Sequence, residues 1–199
     1  YNNSSMYFWG IASLVDCICA VKKMVFDDKK FTFNELGEIL KNNWENHEQD
    51  RAFALNLTEK YGNNNQIADT IAIEMSAFCA GLVNKKANGR GGFFKPALFS
   101  IDRVFLMGEK TMATPDGRKA GEPLSKNLCA TPAMDKNGIT ALIRSVTKMD
   151  LAEFSTGSVL DFVLHPTAVQ GEDGLVAFYG LLRTYFNLGG FAMHGNVFN

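Results

Sequence analysis

"ATPDGRKAGEPLS", residues 113–125, is where the chain changes character. Pro115 fixes φ, Asp116 can bond the backbone two residues on, and Gly117 supplies a positive φ, so the segment is a loop with explicit turn chemistry. The stretch before it, "FKPALFSIDRVFLMG" (94–108), is rich in Phe, Ile and Val and reads as a strand. Asp102 and Arg103 interrupt that strand as a local ion pair or a solvated end. Beyond the loop, "GITALIRSVTKM" (138–149) has helical spacing. "GSVLDFVLHP" (157–166) reads as a strand stopped by Pro166. "GEDGLVAFYGLLRTYFNLGG" (171–190) reads as a helix with acids at its start, Arg183 late and a double glycine at its end. The closing "GGFAMHGNVFN" (189–199) is the next strand.

The half before the loop reads differently. "WGIASLVDCICAVKKMVFDD" (9–28) keeps apolar residues at helical spacing, which predicts a mostly buried helix. In "FTFNELGEILKNNW" (31–44), Thr32 or Asn34 is a cap, Glu35 falls in the first turn, and Leu36, Ile39 and Leu40 share a face. A charged segment from Glu45 to Lys60 continues as helix to Tyr61-Gly62. "GNNN" (62–65) is a turn, and "QIADTIAIEMSAFCAGLVNKK" (66–86) is an amphipathic helix with Asp69 near its positive end. The fold class is therefore α/β, an almost wholly helical first half followed by alternating strand and helix, which suggests a sheet or barrel. Residues 1–199 form one domain, without repeat, low-complexity tract or linker.

Composition narrows the function classes. The chain has 199 residues, 46% of them hydrophobic and 21% charged, with a formal net charge of -1. That length buries a real core, and that charge gives no pull toward nucleic acid or anionic membrane. Sixteen Phe against five Tyr and two Trp point to a thick interior. "MYFWGIASLVDCICAV" (6–21) is interrupted by Asp16 and is shorter than the roughly 20 residues of a membrane span. Cys17, Cys19, Cys79 and Cys129 are scattered, and Cys17-Ile18-Cys19 is too tight for a zinc knuckle, so reduced thiols in a cytoplasmic protein are expected and no metal site.

Local motifs are weak singly. "GRGG" (89–92) lacks both the full GxGxxG pattern and the lysine of a P-loop, and reads as a turn that lets the backbone pass closely. His47, His165 and His194 are far apart in sequence. His165, before Pro166 at a strand end, can reach a pocket, although a hydrogen-bonded structural histidine is the plainer reading. The apolar C-terminal strand, without a polar tail, has to be tied into a sheet or belong to something longer.

Four stretches together resemble the glycyl radical enzymes, the family of pyruvate formate-lyase and glycerol dehydratase. They are "YGNNN" (61–65) leading to Asp69, "ATPDGRKAGEPLS" (113–125), "HPTAVQGEDG" (165–174) and "GGFAMHGNVFN" (189–199), in matching order and spacing. The resemblance covers essentially the whole chain. It implies part of a ten-stranded α/β barrel in which a cysteine loop meets a glycine loop. A glycine Cα radical, delocalised over the flanking amides, takes hydrogen from the cysteine thiol, and the thiyl radical attacks a small polar metabolite in a space closed to water and oxygen. An activase with S-adenosylmethionine and an iron–sulfur cluster installs the radical; no cofactor is bound directly. Residues 1–199 would then run into the start of the glycyl radical domain of an intact homodimer, an internal fragment of its C-terminal half.

The resemblance assigns no catalytic residue here. The cysteine loop is expected before Tyr1, Cys17 and Cys19 do not match it, and the Arg-Val-x-Gly motif of the radical glycine is expected after Asn199. "GRKAGEPLS" resembles the dehydratases and related lyases more than pyruvate formate-lyase. In that branch the strand ahead of the TPDGR loop lines the substrate pocket, which makes Phe99 and Ile101 pocket walls or, equally, barrel packing. Phe99 lacks the hydroxyl that the tyrosine common there in diol dehydratases would offer a polyol. The expectation is thus a fragment, itself inactive, of a glycyl radical lyase or dehydratase. The alternatives are a formate acetyltransferase or a non-catalytic relative that docks on a larger partner.

Overall fold

The computed structural model describes residues 2–100 and 103–198. Four strands, β1 (Ser4–Tyr7), β2 (Phe94–Ala97), β3 (Val159–Leu164) and β4 (Ala192–Val197), are separated by helices. β1 pairs with β2 and β3 with β4, both in parallel. Among the described residues, a parallel bridge from Leu98 to Ser158 joins the two ladders. The strands thus lie in chain order, each reached by a helical crossover, as in one arc of an α/β barrel.

The first crossover holds most of the helices: α1 (Ile11–Val21), α2 (Phe33–Lys41), α3 (Glu48–Leu55) and α4 (Gln66–Val83). α1 runs into a π-helical segment, Lys22–Asp27, where Lys22–Asp27 and Lys23–Asp28 pair at 2.7 and 2.8 Å across a five-residue spacing. Of the two candidate caps, Thr32 holds the position, with a full capping box to Glu35. Asn65 caps α4 by accepting from the amides of Ile67 and Ala68. α4 is apolar and long enough to cross a membrane, yet it lies against α1 with Ala68, Asp69, Ala72, Ser76 and Ala80 buried. α6 (Gly138–Val146) and α7 (Gly171–Asn187) complete the layer outside β3 and β4.

Three sequence expectations are corrected. Residues 94–108 are not one strand: β2 ends at Ala97, and α5 (Arg103–Glu109) follows. Val104 and Gly108 form its buried face, and a Cβ on Gly108 would lie 2.3 Å from the Glu122 carbonyl, so the helix seats on the loop of residues 113–125. Asp102 lies outside the described residues. The helix expected over 45–60 is confined to α3, because Asn43, Trp44 and Asn46 adopt positive φ and turn the chain while burying Trp44. β1 was unexpected in a half that reads as helical. It exists through its register with β2, some ninety residues away in the chain.

The main core lies between the sheet and α1, α4 and α6. Leu98, Leu160, Leu128, Tyr61, Ile143, Val146, Phe154 and Tyr185 pack in it. Trp44, Met24, Leu36, Ile39 and Ala54 form a second cluster among α2 and α3. Strand alternation then defines two faces. Leu160 and Phe162 are buried toward the helices, while Asp161 and Val163 face the other way, Val163 being 65% exposed.

Candidate functional site

Two polar constellations are built by this fold. The first is the loop of residues 113–125. Arg118, 4% exposed, donates from Nε to Thr114 Oγ1 and from its terminal nitrogens to the carbonyls of Glu122, Thr111 and Met112. Asp116 Oδ1 accepts from Thr114 Oγ1 at 2.5 Å. Arg51 donates to the Gly117 carbonyl at 2.8 Å, and buried Lys60 donates to the Asp116 carbonyl at 3.2 Å. Gly117 has φ 97, and a Cβ there would lie 2.6 Å from Leu55 Cγ. Nearby, Asp16 accepts from the Tyr61 amide at 2.8 Å and from Thr131 Oγ1 at 2.7 Å. Burial pushes the Asp16 carboxyl up to about 6, against the opposing pull of the Lys60 charge and these bonds. Asp16, Lys60, Asp116 and Arg118 of this knot are buried, while Arg51 is partly exposed at its edge. It is architecture, locking α1, α3 and the loop together.

The second constellation lies on the sheet face away from the helices. Phe99 is half-buried there. Its ring centroid is 6.5 Å from that of Tyr7, and its carbonyl accepts from Trp9 Nε1 at 3.1 Å. Ile101, the other expected wall residue, lies outside the described residues. Along the face, Asp161 pairs in register with His194, whose Nδ1 is 3.0 Å from Asp161 Oδ1. Asn127 donates to Asp161 Oδ2, and Lys126 Nζ is 3.7 Å from Oδ1. Asn127 is in turn clasped by Ser100, whose amide and hydroxyl reach Asn127 Oδ1 at 2.6 and 3.0 Å. An open cleft of about 590 Å³ adjoins this cluster, lined in part by Lys126, Cys129, Asp161, Val163 and Asn196.

Other sequence candidates resolve into structural roles. His165 Nδ1 accepts from the Thr167 amide at the start of a short 3₁₀ turn, so it is a cap. His47 pairs with Asp50 at 2.8 Å at the start of α3. In the "GRGG" turn a Cβ on Gly92 would lie 2.6 Å from the Asn2 carbonyl, a close backbone passage as expected. All four cysteines are free thiols, and burial raises each of them, Cys19 and Cys129 to about 12. Among the described residues no group of three His, Cys, Asp or Glu side chains is placed to hold a metal. The Asp161–His194 pair escaped the sequence reading, because 33 residues separate the two and only the parallel register brings them together.

Comparison with known proteins fixes the family. The family model described as "Pyruvate formate lyase-like" matches residues 1–108, and the one described as "Glycine radical" matches residues 124–199. The chain belongs to the glycyl radical enzymes. Trans-4-hydroxy-L-proline dehydratase of Clostridioides difficile is 34% identical over 199 residues, which are 100% of this chain and 25% of that protein. Indoleacetate decarboxylase of Tractidigestivibacter scatoligenes is 30% identical over 221 residues, 99% of this chain and 25% of that protein. The glycerol-bound B12-independent glycerol dehydratase from Clostridium butyricum superposes with a TM-score of 0.95 at 37% identity, over 99% of this chain and 25% of that one. The glycyl radical chain described here therefore spans about a quarter of the length of these relatives. Its four-stranded arc is a portion of their α/β barrel fold, as the four sequence stretches implied.

Proposed function

We propose that this chain is the C-terminal barrel portion of a glycyl radical lyase or dehydratase that acts on a small polar metabolite by thiyl-radical hydrogen abstraction. The observation that carries the reading is a TM-score of 0.95 to a dehydratase over nearly the whole chain. Relatives named for dehydration and for decarboxylation agree with it. Residues 1–199 supply walls, with Phe99 and Ile101 among them, and the sheltering helices. The attacking cysteine and the radical glycine lie outside residues 1–199.

The thiols present suit a wall better than a radical loop. Cys19 is buried in α1, and Cys17 is raised by burial and by Asp116. Cys129 sits against the Asp161 carbonyl at 3.3 Å. An activase carrying S-adenosylmethionine and an iron–sulfur cluster installs the radical in the intact, homodimeric, cytoplasmic enzyme, which needs neither nucleic acid nor membrane.

Electron paramagnetic resonance after anaerobic treatment with the activase tests this reading. The full-length protein is expected to show a glycyl doublet and the 199-residue chain none. A doublet from the chain alone would overturn the assignment of the glycine to an outside segment, and silence from an activated full-length protein would overturn the radical function. Glycerol and trans-4-hydroxy-L-proline, the molecules named with two of the relatives, are the first substrates to try.

A further inference from the structure

Asp161 and His194 meet because the β3–β4 register sets them side by side on the face opposite the helices. The carboxylate is well sequestered, its side chain 14% exposed, while the imidazole is 63% exposed. An ionised carboxylate only accepts hydrogen bonds, so its 3.0 Å contact with Nδ1 places the proton of the neutral ring there. Nε2 is then a bare acceptor on the open face, and it has no partner among the described residues. This reverses the usual arrangement of a free histidine and holds it in one orientation.

The orientation is braced. Asp161 takes a second bond from Asn127, which Ser100 grips through its amide and hydroxyl, and Ser100 directly follows Phe99. The aromatic wall and the acceptor are thereby fixed relative to each other through four linked residues. Around them the face is apolar at Val163 and Tyr7. Such a surface suits a small molecule that has a carbon body and a hydroxyl donor.

We propose that His194, oriented by Asp161, is a binding residue that accepts a hydrogen bond from a hydroxyl group of the small-molecule substrate. This rests on the reading of the chain as part of the wall of a small-metabolite site. Two measurements decide it. In the ¹⁵N-labelled chain, long-range ¹H–¹⁵N spectra are expected to show His194 as the Nδ1–H tautomer, reverting to Nε2–H in Asp161→Ala. An Nε2–H tautomer in the unsubstituted chain overturns the proposal. In the full-length protein before activation, calorimetric titration with glycerol and with trans-4-hydroxy-L-proline is expected to detect binding of at least one. His194→Leu should weaken that binding about tenfold, the scale of one well-formed hydrogen bond, and His194→Gln should restore most of it. Binding of neither molecule, or equal binding by the Leu variant, overturns the proposal. The glycyl doublet, read separately on the same protein, tells failure of the radical function apart from failure of this assignment.

Discussion

Arg118 is 4% exposed, and the His194 side chain is 63% exposed. Both are basic residues in polar networks fastened to backbone from distant parts of the chain. Around Arg118 the donors are spent on carbonyls of Thr111, Met112 and Glu122 and on Thr114, with Asp116, Lys60 and Arg51 closing the knot. Around His194 the network stops one bond short, at an Nε2 facing outward. Saturation marks a network that holds a shape, because a buried donor without a partner is costly. A polar atom left over on an exposed, braced framework is open to water or, as proposed above, to a ligand hydroxyl. The most recognisable motif in this sequence is of the first kind, and the second is assembled from two unremarkable strands.

That contrast predicts a graded response to substitution, read as urea unfolding of the chain. Arg118→Met leaves buried carbonyls and the packing of the loop unsupported, and should cost about 4 kcal/mol. A loss under about 1 kcal/mol would break the description of the loop as a structural knot. Lys148→Met comes next. It strips the partner, 2.6 Å away, from Asp69, which is 2% exposed and whose second oxygen is already without a bond among the described residues. With Lys148 partly solvated, a loss of about 2 kcal/mol is expected.

Asp16 gives a pH-dependent version of the same test. Its folded carboxyl is raised to about 6 from an ordinary 3.8, chiefly by burial, so its ionisation opposes folding. Its contribution is complete below about pH 4 and is lost as the pH rises through about 6. Asp16→Asn should therefore flatten the stability profile between pH 4 and 7 relative to the parent chain, by about 2 kcal/mol across that span. Parallel profiles for parent and variant would show that Asp16 is not the group responsible. The smallest effect belongs to the open face: His194→Ala should shift stability by no more than about 0.5 kcal/mol. A larger loss would erase the difference between the two regions.

Sequence reading reached the parts of the fold that local chemistry dictates. β3 stops where Pro166 must stop it, α7 ends at its double glycine, and Thr32 with Glu35 announces α2. It missed what only distant partners create. β1 has no alternation of its own and becomes a strand by lying beside β2. Residues 103–109 carry the apolar run of a strand, yet form α5, with Gly108 pressed against the Glu122 carbonyl. Short apolar runs do not distinguish the two states. Of the candidate site, the resemblance pointed to Phe99, which the fold sets against Tyr7, whereas three histidines far apart in sequence gave no reason to prefer His194.

The bridge between Leu98 and Ser158 has a mechanical consequence. The Leu98 amide donates to the Gly157 carbonyl and Thr156 Oγ1 to the Pro96 carbonyl beside it, so β2 and β3 are tied over a short seam, where the Ser158 hydroxyl is buried without a bond among the described residues. Phe99 directly follows the seam and His194 lies on the β3–β4 ladder, so the bonds of the seam, together with the Ser100–Asn127–Asp161 chain, hold the two at a set span.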